Sequence, residues 1–166
     1  MPYWDRTWDA IAAALPAGAS LIERARALLA HATRRQPDAA GEFDALLERA
    51  ERGWLASGAA ARAARCLVHS DPGPGNVLLP DGAPCAVLVD WEYAHRGDLL
   101  QDPAAWLQAV PALRGEAAQV LRACGLADHA DEAMLAGMVQ VYDSIERAWE
   151  RLAATAAGVP RVGRAN

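Results

Sequence analysis

At 166 residues, 53 % of them apolar and 22 % charged, the chain has the length of one domain (1–166) and the composition of a soluble globular fold with a real core. A formal charge of −5 argues against nucleic acid or an anionic membrane as partner. No apolar run is long enough to span a bilayer, and Met1-Pro2-Tyr3-Trp4-Asp5-Arg6 lacks the layout of a signal peptide, so a cytoplasmic location is expected.

Trp4, Trp8, Ile11 and Leu15 fall on one face of a first helix, which Pro16 and Gly18 stop. Ser20 and Glu23 have the spacing of a capping box. The helix they open carries Leu21, Ile22, Ala25, Leu28, Leu29 and Ala32 on its inner face and closes at Pro37. A second amphipathic helix is expected from Glu42 to Ser57, with Phe43, Leu46, Leu47, Ala50 and Trp54 inward, so that the two form a helical hairpin. An Ala/Arg connector of weak helical character follows over 58–65.

The next stretch, Cys66 to Leu79, organises the rest. A strand at 66–69 delivers His69 and Asp71 into a loop that Pro72, Gly73, Pro74 and Gly75 hold on a non-helical path. The loop ends at Asn76; a strand at 77–79, a turn at Asp81-Gly82 and a strand at 84–90 make a hairpin that ends on Asp90. These apolar strands show no polar alternation, so both faces are expected to be covered by helices. Two carboxylates, Asp71 and Asp90, and the Asn76 carboxamide can meet at one point, an oxygen set that suits Mg²⁺.

Beyond Glu92 a loop carries Tyr93, His95, Arg96 and Asp98. Helices are then expected from Asp102 and Pro103 to about Ala109, from Leu113 to Cys124, and, capped by Asp128, to about Ala157, with Leu135, Met138, Val139, Tyr142, Ile145, Trp149 and Leu152 on one stripe. A frayed tail over 161–166 completes the chain. Cys66, Cys85 and Cys124 have no Cys-x-x-Cys spacing and read as buried, reduced thiols; His31, His95 and His129 imply no zinc site.

His-x-Asp-x-x-x-x-Asn, a hairpin, then Asp is the arrangement of kinase catalytic loops. In detail the chain resembles the aminoglycoside phosphotransferase and choline kinase-like family. That family's loop reads His-Gly-Asp-x-x-Pro-x-Asn, against His69-Ser70-Asp71-Pro72-Gly73-Pro74-Gly75-Asn76 here. Its Ile-Asp-Trp-Glu/Asp segment is matched by Val89-Asp90-Trp91-Glu92, and its Gly-Asp-Pro-x-x-Asp-Leu-Ala landmark by Gly97-Asp98-Leu99-Leu100-Gln101-Asp102-Pro103-Ala104. Ser70 for Gly, Leu99 for Pro and Pro103 for Leu are the departures.

The resemblance implies an α+β, mainly helical, protein-kinase-like C-terminal lobe with a small catalytic hairpin. It implies Mg²⁺-dependent transfer of the γ-phosphoryl group of ATP or GTP to a hydroxyl of a small molecule: an aminoglycoside, an amino alcohol or a sugar-like compound. Asp71 would be the catalytic base, with Asn76 and Asp90 holding the metal. His69, Asp98 and Asp102 would be structural, the two aspartates bracing the loop; Glu92 reads as solvated or as a contact to metal or a cationic substrate. Trp91 and Tyr93 read as core, with a substrate pocket as the other possibility. All sixteen basic residues are arginine, nothing before residue 66 reads as a sheet or a Gly-rich loop, and a phosphate-binding lysine is lacking. The N-terminal nucleotide lobe is therefore expected to be absent, and to come from a longer gene product, a partner chain or a homodimer. The alternative is a non-catalytic lobe that binds or docks without turnover.

Overall fold

A computed structural model of the chain describes residues 19–62, 66–82 and 85–156. The helix expected over 1–18 and the tail at 161–166 lie outside these residues, as do 63–65 of the connector and 83–84 of the hairpin.

Helix formation starts where the capping box sits. The Ser20 Oγ accepts the Glu23 N–H at 3.4 Å, and the Glu23 carboxylate accepts the Ser20 N–H at 2.7 Å, so two otherwise unpaired amides of the first turn are satisfied. Helix α1 (Leu21–Arg35) buries Leu21, Ile22, Ala25, Leu28, Leu29 and Ala32. After a 3-10 turn at Pro37–Ala39, α2 (Ala40–Ala56) turns Phe43, Leu46, Ala50 and Gly53 inward. Both pack on the long last helix, α5 (Glu132–Ala156). Its cap is Asp131, whose carboxylate accepts the Met134 N–H at 2.8 Å, rather than the expected Asp128. Leu135, Met138, Val141 and Ala148 of α5 are fully buried.

Where α2 crosses α5 the backbones touch. A Cβ on Gly137 would lie 2.7 Å from the Gly53 carbonyl oxygen and 2.7 Å from the Ser57 nitrogen. Both are backbone atoms that no side-chain rotamer can move aside. Gly137→Ala is therefore expected to lower stability by about 2 kcal/mol, because overpacking a rigid contact outweighs the gain in helix propensity of about 1 kcal/mol. Thermal unfolding measures it; an unchanged or higher midpoint would mean that the two helices separate freely.

After α2 the chain forms two small antiparallel ribbons. Strand β1 (Cys66–Val68) pairs with β4 (His95–Gly97) in the register Cys66↔Gly97, Leu67↔Arg96, Val68↔His95. Strands β2 (Val77–Leu78) and β3 (Val87–Leu88) form the expected hairpin, shorter at both ends. β4 was expected to be loop, since His-Arg-Gly has no strand-like composition; its pairing is imposed by β1. Gly97 is required there, because a Cβ would run into Gln101 and lie 2.7 Å from Val68 Cγ2.

Two expectations about this region are corrected. The strands are not covered on both faces: Leu67, Leu78, Leu79 and Val87 are 68, 50, 79 and 44 % exposed. The cysteines are free but exposed rather than buried, since Cys66 and Cys85 belong to these uncovered segments and Cys124 follows the end of a surface helix. Helix α3 (Gln101–Ala109) stands as expected. The helix expected over 113–124 is instead a 3-10 stretch at Pro111–Glu116 followed by α4 (Ala117–Ala123). Arg114, which donates to the Leu107 carbonyl and to Asp143, ties that tighter stretch down. The fold is mostly helical with small antiparallel sheets, and no helix among the described residues is long and apolar enough to cross a membrane.

Candidate functional site

The loop from His69 to Asn76 is held at both ends. The Asp102 carboxylate, at the start of α3, accepts the His69 N–H at 2.8 Å on one oxygen and the Ser70 N–H at 2.9 Å on the other. Ser70 has φ 76°, a left-handed conformation that a residue with a Cβ adopts at a cost of about 1–2 kcal/mol. The two charge-assisted bonds to Asp102 hold it there. Asp98, almost fully buried, receives both nitrogens of the Arg62 fork at 2.8 and 2.9 Å and also accepts the Leu100 N–H. It anchors the connector to α3.

His69 is fully buried. Its Nδ1 lies 3.3 Å from the Asp71 backbone nitrogen, which can only donate, so Nε2 carries the ring proton and donates it to the Val89 carbonyl at 2.8 Å. Trp91 packs edge-on against the ring at a centroid distance of 4.7 Å. With both nitrogens engaged by backbone, His69 clips the loop to the end of β3 and has no free position for acid–base work.

Asp71 is exposed at the tip of this frame. The Asn76 Nδ2 donates to its backbone carbonyl at 2.8 Å and to its carboxylate at 3.0 Å, and the Asn76 N–H closes the 3-10 turn by bonding the Gly73 carbonyl. The Asn76 amide is thus turned so that Oδ1 stays available. The Asn76 carbonyl accepts the Val89 N–H at 2.9 Å, which carries the hairpin register one step past Val77↔Leu88. Asp90 follows immediately, in a left-handed conformation at φ 66°. Asp71 and Asn76 are therefore in contact. Asp90 is adjacent through the backbone, but no hydrogen bond joins its carboxylate to either. Among the described residues no three His, Cys, Asp or Glu side chains cluster as a metal site; the oxygens on offer are those of Asn76 Oδ1 and the carboxylates at 71 and 90, the hard donors Mg²⁺ accepts.

Beside Asp71 opens a cavity of about 340 Å³. Ser70, Asp71, Tyr93 and His95 line it from the loop side, α1 contributes Arg24, and α5 contributes Tyr142, Glu146, Trp149 and Glu150. Tyr93 therefore lines a pocket, whereas Trp91 is 47 % exposed outside it. Burial, then the charges of Glu150 and Asp71, raise the Glu146 pKa above the ordinary carboxylate value. Burial likewise lowers that of Arg24 and raises that of Tyr142, whose hydroxyl lies near Gln101 without a hydrogen bond of good geometry. Sequence reading had selected none of Arg24, Glu146 or Glu150. The i, i+4 spacing of Tyr142, Glu146 and Glu150 was a signal only once α5 was known to face the loop.

His95 Nδ1 lies 3.0 Å from both the Ser70 Oγ and the Tyr93 carbonyl. Burial, aided by Arg24, lowers its pKa below 6.5, against opposing effects of the Tyr93 carbonyl and Asp102; burial and Arg34 and Arg35 do the same to His31. As pH falls below 6.5 the unfolded chain takes up these protons first, so stability declines until the folded rings protonate as well. Thermal unfolding from about pH 7.5 down to about 5.5 is expected to show a falling midpoint, and His95→Gln to flatten it. The raised Glu146 opposes the trend only towards the acid end. A midpoint that rises over this window would refute the assignment.

A family model described as "Phosphotransferase enzyme family" matches residues 6–154. Among curated proteins and among solved structures none matches the chain.

Proposed function

From the premise that the chain belongs to the phosphotransferase enzyme family, we propose that it transfers the γ-phosphoryl group of ATP or GTP to a hydroxyl of a small molecule, as a kinase-like C-terminal lobe. The observation that carries this reading is the position of Asp71, its carboxylate fixed by Asn76 and its side chain in the wall of the cavity.

An acceptor bound in the cavity presents its hydroxyl to Asp71. The carboxylate accepts a hydrogen bond from that hydroxyl, orients it for in-line attack and takes its proton as the bond to phosphorus forms. Asn76 Nδ2 keeps the carboxylate from rotating away, and the clip of His69 and the brace of Asp102 hold the loop beneath it. Asn76 Oδ1 and Asp90 would hold Mg²⁺, which when bound neutralises charge on the nucleotide phosphates. The exposed apolar hairpin (Leu78, Leu79 and Val87) is the side on which the nucleotide and a covering lobe would sit. That lobe, from a longer protein, a partner chain or a second copy, would supply the phosphate-binding cation this lysine-free chain lacks.

Titration calorimetry of the chain with ATP tests the reading. Binding is expected to require Mg²⁺, to be weaker than about 1 mM for residues 1–166 alone, and to be lost in Asp90→Ala. Sub-micromolar binding would mean that no second lobe is needed. Binding indifferent to Mg²⁺ and to Asp90 would favour a non-catalytic module.

A further inference from the structure

The cavity beside Asp71 contains charges of both signs that do not neutralise one another. On α1, Arg24 Nε donates to the Ala19 carbonyl at 3.3 Å. Among the described residues its guanidinium meets no carboxylate, although Glu146 and Glu150 line the same cavity. Arginines elsewhere in the structure are paired: Arg62 with Asp98, Arg114 with Asp143 and Arg151 with Glu42. A half-buried guanidinium without a counter-ion is costly unless a ligand supplies one. On α5 the opposite holds: Glu146 and Glu150 stand one turn apart with Trp149 between them and no cation beside them among the described residues.

We propose that the acceptor is a hydroxylated amino acid, held at three points: its carboxylate on Arg24, its ammonium at Glu146 and Glu150, and its hydroxyl at Asp71. This deepens the phosphoryl-transfer reading and rests on it for the hydroxyl contact alone. An aminoglycoside or a simple amino alcohol satisfies Glu146 and Glu150 but leaves Arg24 without an anion. A neutral sugar satisfies neither wall. The planar fork of Arg24 matches a carboxylate through two parallel N–H donors. A cavity of about 340 Å³ lies at the lower end of the range for small-molecule sites, as a compact amino acid requires.

Three probes that share one hydroxyalkyl chain separate the contacts: 5-hydroxynorvaline, 4-aminobutan-1-ol, which lacks its carboxylate, and 5-hydroxypentanoate, which lacks its ammonium. Binding to the 166-residue chain is followed by NMR, which needs no nucleotide and no turnover. The amino acid is expected to bind at least about tenfold more tightly than either truncated probe, the worth of one charge-assisted contact. Arg24→Gln should weaken the amino acid and tighten the amino alcohol; Glu146→Gln should weaken the amino acid and spare the hydroxy acid. If a variant does not fold, the three-probe ranking on the unaltered chain decides. An amino alcohol that binds as well as the amino acid, or no binding of any probe, overturns the inference. Either result leaves phosphoryl transfer to be judged separately, by the Mg²⁺ and Asp90→Ala titrations.

Discussion

Asp71→Asn is expected to abolish phosphoryl transfer while leaving the fold and acceptor binding in place. Asn keeps an oxygen that can accept the bond now made by Asn76 Nδ2 at 3.0 Å, so the loop has no reason to move. Asp71 is exposed, and a near-isosteric change at such a position alters stability by no more than about 0.5 kcal/mol. What the variant loses is a group able to take the proton of the attacking hydroxyl. Positioned general bases contribute about 10²–10⁴ in rate, and the loss should appear in kcat, with the acceptor KM little changed. The comparison is made in whichever preparation, chain alone or chain with its covering lobe, supports transfer by the unaltered protein. Turnover within about tenfold of the parent would remove Asp71 from the chemistry. A collapse of acceptor binding alongside turnover would instead make it a substrate-holding residue.

What could be read from the residues followed from how local each feature is. Ser20 and Glu23 make their capping box within one turn, and the apolar stripe of α1 is set by its own periodicity; both were legible. So was the Asp71–Asn76 contact, whose partners are five residues apart on a loop that Pro72 and Pro74 restrict. Asp102 is thirty-odd residues from the amides it braces, and only the family resemblance pointed to it. Strand β4 was missed because His95-Arg96-Gly97 pairs through the demand of β1 and not through its own propensity. The coverage of the strands was misjudged because an apolar run records that burial is favourable, not that a helix is at hand to provide it. The cavity was illegible for the same reason. Arg24 and Glu146 come to line one cavity only through the packing of α1 on α5, and neither residue type stands out on an amphipathic helix that carries other charged residues.

Asp102→Ala is expected to be the most damaging single change to the site that touches no substrate. Its carboxylate accepts from two successive amides, those of His69 and Ser70, one on each oxygen. Without it, two part-buried N–H groups lose charged acceptors, each at about 1–3 kcal/mol. Ser70 also loses what holds its left-handed backbone, so the loop relaxes towards an ordinary conformation and carries Asp71 away from Asn76. The expected loss is about 3–5 kcal/mol, a large share of the 5–15 kcal/mol typical of a whole domain. Asp102→Asn separates the causes. It keeps one acceptor oxygen but points an amide N–H₂ at a backbone donor, so it should fall between the parent and Asp102→Ala in unfolding midpoint. Transfer should drop in the same order, and Ser70→Gly, which removes the strain Asp102 opposes, should restore part of it in the Asp102→Asn background. If Asp102→Ala melts within about 1 kcal/mol of the parent, the loop is held by His69 and the β1–β4 pairing alone, and its geometry owes nothing to the start of α3.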